Sequence, residues 1–390
     1  MVDFIPYAKQ SIDDLDIEEI KSAISSDFIT RGPKVIEFES VFAEYCSVKY
    51  AVAFNSGTSA LKAACFAADV NSFDRIITTP NTFIATLSAG LNYGADYTLA
   101  DIDSQTGNID LSQVREILQY PISRGRYIVF PVHFSGIPVD IAKLESFIKQ
   151  PDALIIEDAA HALGSRYENG MKVGSCFLSD MTVFSFHPAK TITTGEGGMV
   201  TSNNHTFYRR LLRYRNNGIE KNSSPMNESS EPWYYEVHNA TGNYNFTEFQ
   251  AALGISQMKK LEKFIQTRKN LIKRYRKNLS EIPNISMSPE NFDQKTAYHL
   301  CSVQIDFDAC HTKRTDVINA LKKKGIASQV HYIPLYKHPL LKKKNKNMEK
   351  YFPNAEAFYT KELSLPLYAD LSEKQVDYIC ESLLHILDSS

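Results

Sequence analysis

Short apolar segments alternate with amphipathic segments of helical period over residues 50–202. The apolar segments are rich in β-branched residues, and this alternation predicts a mostly parallel sheet covered by helices on both faces. Ligands of such sheets bind beyond the carboxyl ends of the strands, so the residues that follow each strand are the first candidates for chemistry. The predicted strands are Tyr50–Phe54, Arg75–Thr79, Asp96–Ala100, Arg126–Val132, Ala153–Glu157, Met181–Phe186 and Met199–Ser202.

The pattern changes after this region. A long helix is predicted from about Thr247 to Asn278, and two further helices are predicted at the C-terminus. Between them we expect, in order, a strand, a helix and a strand at Tyr298–Ile305, Thr312–Lys324 and Ala327–Tyr332. The sequence therefore predicts a large α/β domain (1–250) and a smaller α+β domain (251–390). The polar segment Asn222–Pro232 is expected to be an exposed loop.

The composition is typical of a folded protein with two or three domains. The chain has 390 residues, of which 43% are hydrophobic. Its 43 lysine and arginine residues nearly balance 45 aspartate and glutamate residues, and the formal charge is −2. We therefore expect neither nucleic acid nor a membrane as a partner, because both attract a positive field. The basic segments Lys322–Lys324 and Lys342–Lys344 are interpreted as solvated surface, with a polyanion site as the less favoured alternative.

The start of the chain and its cysteines indicate a cytoplasmic protein. Acidic residues occur where a secretion signal has a basic segment, and we find no run of about 18 apolar residues for a membrane helix. The six cysteines form neither a C-x-x-C pair nor a zinc-ligand pattern. We accordingly expect reduced, mostly buried thiols and no metal site.

A phosphate site is indicated by the segment Asn55-Ser-Gly-Thr-Ser-Ala-Leu61, which follows the first strand and begins a helix. At a helix N-terminus, residues such as Gly57 and Thr58 leave N–H groups and hydroxyls available to an anion. Ordinary helix capping explains the same residues, so the motif alone is a weak signal. The sequence contains neither a Walker loop nor G-x-G-x-x-G, which argues against a nicotinamide-dependent enzyme.

Two later strands lead into candidate catalytic residues. Asp158 follows a buried strand and is either a helix cap or a functional carboxylate, because an unpaired buried carboxylate is costly. His161 lies one helical turn further on, and Asp-x-x-His would supply two metal ligands whose partners are not visible. Lys190 lies in a turn rich in threonine and glycine, where no helical period explains it. An amine near a carboxylate and a phosphate cradle can hold an aldehyde cofactor as a Schiff base.

These segments resemble, in order and spacing, the DegT/DnrJ/EryC1/StrS family of sugar aminotransferases. The resemblance extends from Phe28 to Pro334 and is carried by Asn55–Leu61, Glu157–His161, Ser185–Lys190, Thr194–Gly198 and Glu248–Gly254. It implies the aspartate-aminotransferase-like fold type I, in which a seven-stranded, mostly parallel sheet domain is joined to a smaller α+β domain. It also implies pyridoxal 5'-phosphate (PLP) as cofactor and a homodimer with shared active sites.

The resemblance further implies roles for individual residues. Lys190 would bind the cofactor aldehyde as the internal aldimine, Asp158 would pair with the pyridine nitrogen, and His161 would lie near the 3-oxygen. Phe83 would stack on the ring. Gly57, Thr58 and Ser185 would hold the phosphate, with Asn243 reaching it from the other subunit. The residues expected to line a sugar-nucleotide pocket are Tyr7, Phe28, Thr30, Gln329, His331 and Tyr332.

Within the family, the sequence is most similar to 4-aminotransferases of UDP-4-keto-6-deoxy-N-acetylhexosamines in pseudaminic acid biosynthesis. The implied reaction moves an amino group from L-glutamate to C4 of such a sugar, for surface-glycan biosynthesis. The alternatives are amination of a dTDP-linked keto sugar at C3 or C4, and a non-catalytic PLP-binding regulatory protein. Lys190 argues against the related dehydratases, which have histidine at that position. Two positions depart from the family pattern, since Asn245 replaces an arginine and Asn217 replaces a histidine.

Overall fold

The fold is that of a computed structural model, which describes residues 4–148, 153–221, 231–280, 282–343 and 347–388. The loop predicted at Asn222–Pro232 lies outside the described residues, apart from its last two positions. The described chain forms a seven-stranded sheet, a three-stranded sheet and a small two-stranded ribbon.

The seven-stranded sheet confirms the predicted α/β architecture. Its strands occur in the order β1-β7-β6-β5-β4-β2-β3, and β7 is antiparallel to its two neighbours while β2 to β6 pair in parallel. All seven predicted strands are present, with ends that differ by up to three residues. They are β1 Tyr50–Phe54, β2 Arg75–Thr78, β3 Asp96–Leu99, β4 Tyr127–Val129, β5 Ala153–Asp158, β6 Met181–Ser185 and β7 Gly198–Ser202.

Helices cover both faces of this sheet. In β1, Ala51 and Ala53 belong to the apolar core on one face, whereas Val52 and Phe54 belong to the core on the other. Successive side chains of a strand point to opposite faces, so a strand buried on both sides has an unbroken apolar sequence. The helices of this part of the chain are α1 Asp14–Ile24, α2 Pro33–Cys46, α3 Gly57–Ala67, α4 Ile84–Leu91, α5 Leu111–Leu118, α6 Ile141–Glu145 and α7 His205–Arg215.

The long helix α8 (Glu248–Leu279) connects the two parts of the molecule. Thr247 caps its N-terminus in a capping box with Gln250. Residues from Ala251 to Ile265 pack into the core of the large sheet, whereas those from Leu271 onwards pack into a separate apolar cluster. The boundary predicted after residue 250 stays a prediction, and this change of partners along α8 supports a boundary inside the helix.

A three-stranded antiparallel sheet forms the centre of the C-terminal part. Its order is β10-β11-β12, and the ribbon formed by β8 and β9 belongs to the preceding part of the chain. The strands are β8 Ile219–Glu220, β9 Glu236–Val237, β10 Ile285–Met287, β11 Cys301–Ile305 and β12 Glu362–Leu365. The helices are α9 Arg314–Lys323, α10 Pro339–Lys342, α11 Pro353–Lys361 and α12 Glu373–Asp388.

The strand predicted at Ala327–Tyr332 is wrong. Within this segment, the N–H of Ala327 donates to the carbonyl of Ile5 and Gln329 forms one antiparallel bridge to Ser364, while Ile326, just before the segment, forms one parallel bridge to Ile5. Because it contacts two different neighbours at single positions, it forms no continuous ladder. Within the described residues, no helix is both long and apolar enough to cross a membrane.

Candidate active site

A cavity of about 420 Å³ lies where β5 and β6 end and α3 begins. Asp158 is the last residue of β5, and Ser185 is the last residue of β6. Parallel strands end at the same edge of a sheet, so residues from different strands and turns meet there. Most of the predicted site residues line this cavity: Tyr7, Gly57, Thr58, Phe83, Asp158, His161, Ser185, Lys190, His331 and Tyr332.

The N-terminus of α3 forms one wall of the cavity. Ser56 is the cap residue, and its Oγ accepts the N–H of Ser59. Gly57 is the first residue of the helix, and a Cβ at this position would lie 2.9 Å from Cβ of Ser185. Glycine therefore lets the helix end approach the end of β6. The N–H groups of Gly57 and Thr58 and the side chain of Thr58 remain available at this wall.

A tight turn positions Lys190 after β6. The N–H of Lys190 donates to the carbonyl of His187 over 2.8 Å, and Pro188 occupies the second position of this turn. Proline favours that position because its fixed φ matches the turn. The Oγ1 of Thr193 donates to the carbonyl of Phe186 over 3.0 Å. The threonine and glycine residues around Lys190 thus serve a compact loop that returns to the sheet at β7.

Burial lowers the pKa of Lys190 to about 8, partly offset by the charge of Asp158. The Nζ atom lies 3.5 Å from Nε2 of His299. Removing a charged amine from water favours its neutral form, which is the form that attacks a carbonyl group.

Asp158 accepts hydrogen bonds with both carboxylate oxygens. Oδ2 accepts the hydroxyl of Thr86 over 2.7 Å, and Oδ1 accepts the N–H of Ala160 over 3.1 Å. The hydroxyl of Thr86 also lies 2.8 Å from that of Thr82. Asp158 therefore caps the turn that follows β5 and also lines the cavity, so both interpretations of its sequence position apply.

Two histidines form an uncharged wall of the cavity. The rings of His161 and His299 have centroids 4.5 Å apart, and burial lowers the pKa of each well below its usual value. Nε2 of His161 lies 3.0 Å from the hydroxyl of Tyr332. Nδ1 of each histidine is buried without a hydrogen-bond partner among the described residues. A buried nitrogen atom without a hydrogen-bond partner is costly, and both atoms suit a polar ligand.

Four predicted site residues do not line this cavity. Phe28 and Thr30 lie in the connection between α1 and α2, where Thr30 forms a bridge with Thr247 and Phe28 is 56% exposed. Gln329 forms a bridge with Ser364 on β12. Asn243 forms a bridge with Asn216, and its Oδ1 accepts the side-chain N–H of Asn245 over 2.7 Å. Asn245, which replaces the arginine of the family pattern, therefore hydrogen-bonds to Asn243, a predicted cofactor residue.

Two further residues contact the predicted site residues, and the sequence analysis does not identify them. His299 contacts Lys190, but it lies just before β11 in an ordinary apolar segment with no motif around it. Thr86 contacts Asp158 from inside α4, where a buried threonine resembles a core residue. Only the short distances to Lys190 and Asp158 in the folded chain identify these two residues, and the sequence alone does not give those distances.

The cavity fits PLP by its own chemistry. It contains an amine able to lose its proton, a carboxylate, a helix N-terminus suited to a phosphate and two unpartnered histidine nitrogens. Phe83, which is 57% exposed, supplies an aromatic surface at its edge. These groups define an enzyme site of the PLP-dependent aminotransferase type.

Comparison with known proteins agrees with this class. The model of the DegT/DnrJ/EryC1/StrS aminotransferase family matches residues 10–384, and the chain belongs to this family. It is 34% identical to the UDP-4-amino-4,6-dideoxy-N-acetyl-beta-L-altrosamine transaminase of Campylobacter jejuni, over 98% of both chains. It is also 34% identical to the spore coat polysaccharide biosynthesis protein SpsC of Bacillus subtilis, over 98% of this chain and 97% of that one.

The fold has close counterparts among solved structures. Helicobacter pylori PseC, an aminotransferase involved in pseudaminic acid biosynthesis, superposes with a TM-score of 0.88 at 29% identity, over 99% of this chain and all of that one. Solved sugar aminotransferases of this fold include PLP and pyridoxamine phosphate forms. The protein is a PLP-dependent sugar aminotransferase of fold type I.

Proposed function

We propose that the protein transfers the amino group of L-glutamate to C4 of a nucleotide-linked 4-keto-6-deoxy sugar derived from UDP-N-acetylhexosamine. The observation that carries this proposal is one cavity lined by Lys190 and Asp158 together with Tyr7, His331 and Tyr332. The similarity to the C. jejuni transaminase over nearly its full length supports the choice of sugar. SpsC and PseC support a role in the biosynthesis of surface glycans, including pseudaminic acid.

When bound, PLP supplies an aldehyde that accepts amino groups and a ring that withdraws electrons from the carbon losing its proton. Lys190 would hold PLP through its aldehyde, and its side-chain amine, when free, would take a proton from the donor's α-carbon and pass it to the aldehyde carbon of the cofactor. Its lowered pKa, about 8, suits an amine that must lose and regain a proton in each cycle. L-glutamate would leave as 2-oxoglutarate, and the keto sugar would receive the amino group by the reverse sequence.

Four further residues and the N-terminus of α3 would hold the cofactor. The carboxylate of Asp158 would keep the pyridine nitrogen protonated, since an adjacent negative charge favours the charged form of that nitrogen. His161 would lie near the 3-oxygen, and Phe83 would stack on the ring. The N-terminus of α3, with Gly57 and Thr58, and the hydroxyl of Ser185 would bind the phosphate.

We also propose a homodimer in which Asn243 serves the partner's site. Asn243 lies outside the cavity of its own chain, next to a groove lined by Arg31, Ile36, Arg215 and Asn245. Ile36 is 68% exposed, and Phe28 and Ile29 are more than half exposed as well. Apolar side chains exposed together favour an interface with a second copy, which would also bring Phe28 and Thr30 to the partner's sugar.

The six cysteines are free, and five of them are buried. Free thiols are typical of a reducing compartment, which supports our proposal that the enzyme works in the cytoplasm.

The experiment that tests the substrate is a panel of sugar nucleotides. The holoenzyme is incubated with L-glutamate and with UDP- and dTDP-linked 4-keto-6-deoxy sugars, and the products are identified by mass and NMR. We expect fastest conversion of a UDP-linked N-acetylhexosamine derivative. A preference for dTDP-linked sugars, or amination at C3, would replace this proposal by the alternative from the sequence. Lys190→Ala is the matched negative control and should convert none of the panel.

A further inference from the structure

A buried carboxyl group is connected to the candidate active site through one serine. The hydroxyl of Ser364 donates to Oε1 of Glu362 over 2.6 Å, and its Oγ lies 2.8 Å from Nδ1 of His331. All three side chains are buried, and His331 lines the cavity that contains Lys190. Glu362 and Ser364 are two residues apart on β12, so both point to the same face of the strand.

The direction of these hydrogen bonds determines where the proton of His331 lies. A serine hydroxyl has one proton, and Ser364 donates it to Glu362. Towards His331, Ser364 can therefore only accept, and Nδ1 of His331 must carry the ring proton. Burial and the nearby charge of Lys190 lower the pKa of His331 to about 3, so the ring is neutral. A neutral ring with its proton on Nδ1 has a free lone pair on Nε2.

The carboxyl group of Glu362 is held in one orientation. Its Oε2 accepts the backbone N–H of His331 over 2.8 Å, and its Oε1 also accepts the hydroxyl of Ser302 on β11 over 3.1 Å. The positive charge of Arg314, from α9, also acts on it. Burial raises the pKa of Glu362 to about 7, so the group accepts hydrogen bonds with both oxygens at a pH above that value.

We propose that Glu362 and Ser364 are positioning residues that fix His331 in the Nδ1–H tautomer, so that Nε2 accepts a hydrogen bond from the substrate. The ligand group facing His331 is then a donor, a hydroxyl or an N–H. A keto oxygen or a phosphate oxygen only accepts, and both are disfavoured at Nε2. This inference rests on the proposed function in one respect, that the ligand is a nucleotide-linked keto sugar. It adds that the carbonyl to be aminated is oriented away from His331.

The conservative variant Glu362→Gln makes the inference testable. The backbone N–H of His331 requires an acceptor, so the amide oxygen of glutamine faces it and the amide NH2 faces Ser364. Ser364 then accepts from glutamine and donates its own proton to Nδ1 of His331. The variant therefore reverses the tautomer while it preserves the size and the neighbours of the side chain.

The measurement is NMR of the holoenzyme with histidine labelled with heavy nitrogen, near pH 9, well above the raised pKa of Glu362. Correlations from the ring protons to the two ring nitrogens identify which nitrogen is protonated. The signals that are lost in the His331→Gln variant are those of His331. We expect the Nδ1–H form in the unmodified protein and the Nε2–H form in Glu362→Gln. Ser302→Ala is the matched control, because it removes another hydroxyl bonded to Glu362, and should retain Nδ1–H.

Three outcomes would overturn the inference. They are an Nε2–H form in the unmodified protein, the same tautomer in Glu362→Gln, and a reversal in Ser302→Ala. If Glu362→Gln fails to fold, Ser364→Ala replaces it and should give a mixture of both tautomers, whereas an unchanged single form would contradict the proposal.

Kinetics supply the second readout. Glu362→Gln should raise KM for the keto sugar about tenfold, since one hydrogen bond to the substrate is lost, and leave the reaction with L-glutamate within a factor of about two. An unchanged KM, or equal loss in both reactions, would contradict the role in substrate binding. The tautomer is measured without any sugar, so correct tautomers with no turnover of the sugar panel would refute the proposed function instead.

Discussion

The side-chain nitrogen of Lys190 lies 3.5 Å from Nε2 of His299, a residue that comes 109 positions later in the chain. The ring of His299 in turn lies against that of His161, with centroids 4.5 Å apart. Burial lowers the pKa of both histidines, so both rings are neutral where they contact the lysine. The same burial lowers the pKa of Lys190 to about 8. The amine is therefore ready to react at a pH where an exposed lysine is fully charged.

The reaction of Lys190 with PLP should depend on pH in a defined direction. Burial disfavours the charged amine, so the neutral, reactive form becomes the major one above a pH of about 8. The rate at which cofactor-free protein binds PLP, followed by stopped-flow absorbance, should rise with pH and level off above that value. A rate that keeps rising to about pH 10.5, the value for an exposed lysine, would contradict the lowered pKa.

The contact with His299 should matter for the rate rather than for the fold. His299→Phe keeps an aromatic ring and removes both nitrogens, and we expect kcat to fall about tenfold because Lys190 loses a hydrogen-bond partner. His299→Gln keeps a polar atom near Lys190 and should restore part of the rate. If the His299→Phe and His299→Gln variants are equally stable and have equal kcat, Nε2 of His299 is not needed for the reaction.

Asp158 should be the most sensitive carboxylate of the site. Asp158→Asn keeps the shape and removes the charge, so we expect kcat to fall about 100-fold, the effect of one lost charge-assisted hydrogen bond. Thr86→Val is the matched control, since it removes the hydroxyl bonded to Oδ2 of Asp158 and leaves the charge. It should cost about tenfold or less. Steady-state kinetics that show equal losses would mean that the charge itself has no role.

The carboxylate of Glu248 should stabilise the fold without acting on the chemistry. It is buried at the start of α8 and accepts the backbone N–H groups of Gly32, Lys34 and Val35, at the start of α2. Glu248→Gln should lower the free energy of unfolding in urea by about 1–2 kcal/mol, because glutamine has one acceptor where the carboxylate has two. Glu262→Gln, at an exposed position of α8, should cost less than about 0.5 kcal/mol. Equal costs would contradict this capping role.

The shared active site can be tested by mixing two inactive variants. Lys190→Ala and Asn243→Ala chains, expressed together, should recover about a quarter of the normal activity at low PLP. Half of the dimers are mixed, and each mixed dimer has one intact site if Asn243 serves its partner. If Asn243 served its own chain, mixed dimers would have no intact site and the activity would stay at the level of the separate variants.

Much of the fold could be predicted because burial leaves a direct trace in the sequence. Strand β5 is buried along its whole length, so its apolar sequence predicts a central strand. Strand β12 was missed because it begins with Glu362 directly after α11, where a charged residue resembles the end of a helix. The sequence pattern predicts a strand at Ala327–Tyr332, where the structure has none. Its partners, Ile5 and Ser364, are distant in sequence and engage it at single positions.

The candidate site could be predicted where motifs carry it. Lys190 and Asp158 follow strands that end at one edge of the sheet, and the structure brings them to the same cavity. His299 and Glu362 could not be predicted, because their importance comes from contacts with Lys190 and, through Ser364, with His331. Such contacts depend on how the two parts of the chain pack together, and no local pattern records them.

The central claim is that nitrogen from L-glutamate reaches C4 of a UDP-linked keto sugar through Lys190. The most direct measurement uses L-glutamate labelled with heavy nitrogen, the holoenzyme and UDP-4-keto-6-deoxy-N-acetylhexosamine, with the product examined by mass spectrometry and NMR. The account predicts one heavy nitrogen, bonded to C4, in the product of the unmodified enzyme and none with Lys190→Ala. Label at C3, or an unlabelled sugar product with the cofactor fully bound, would contradict it.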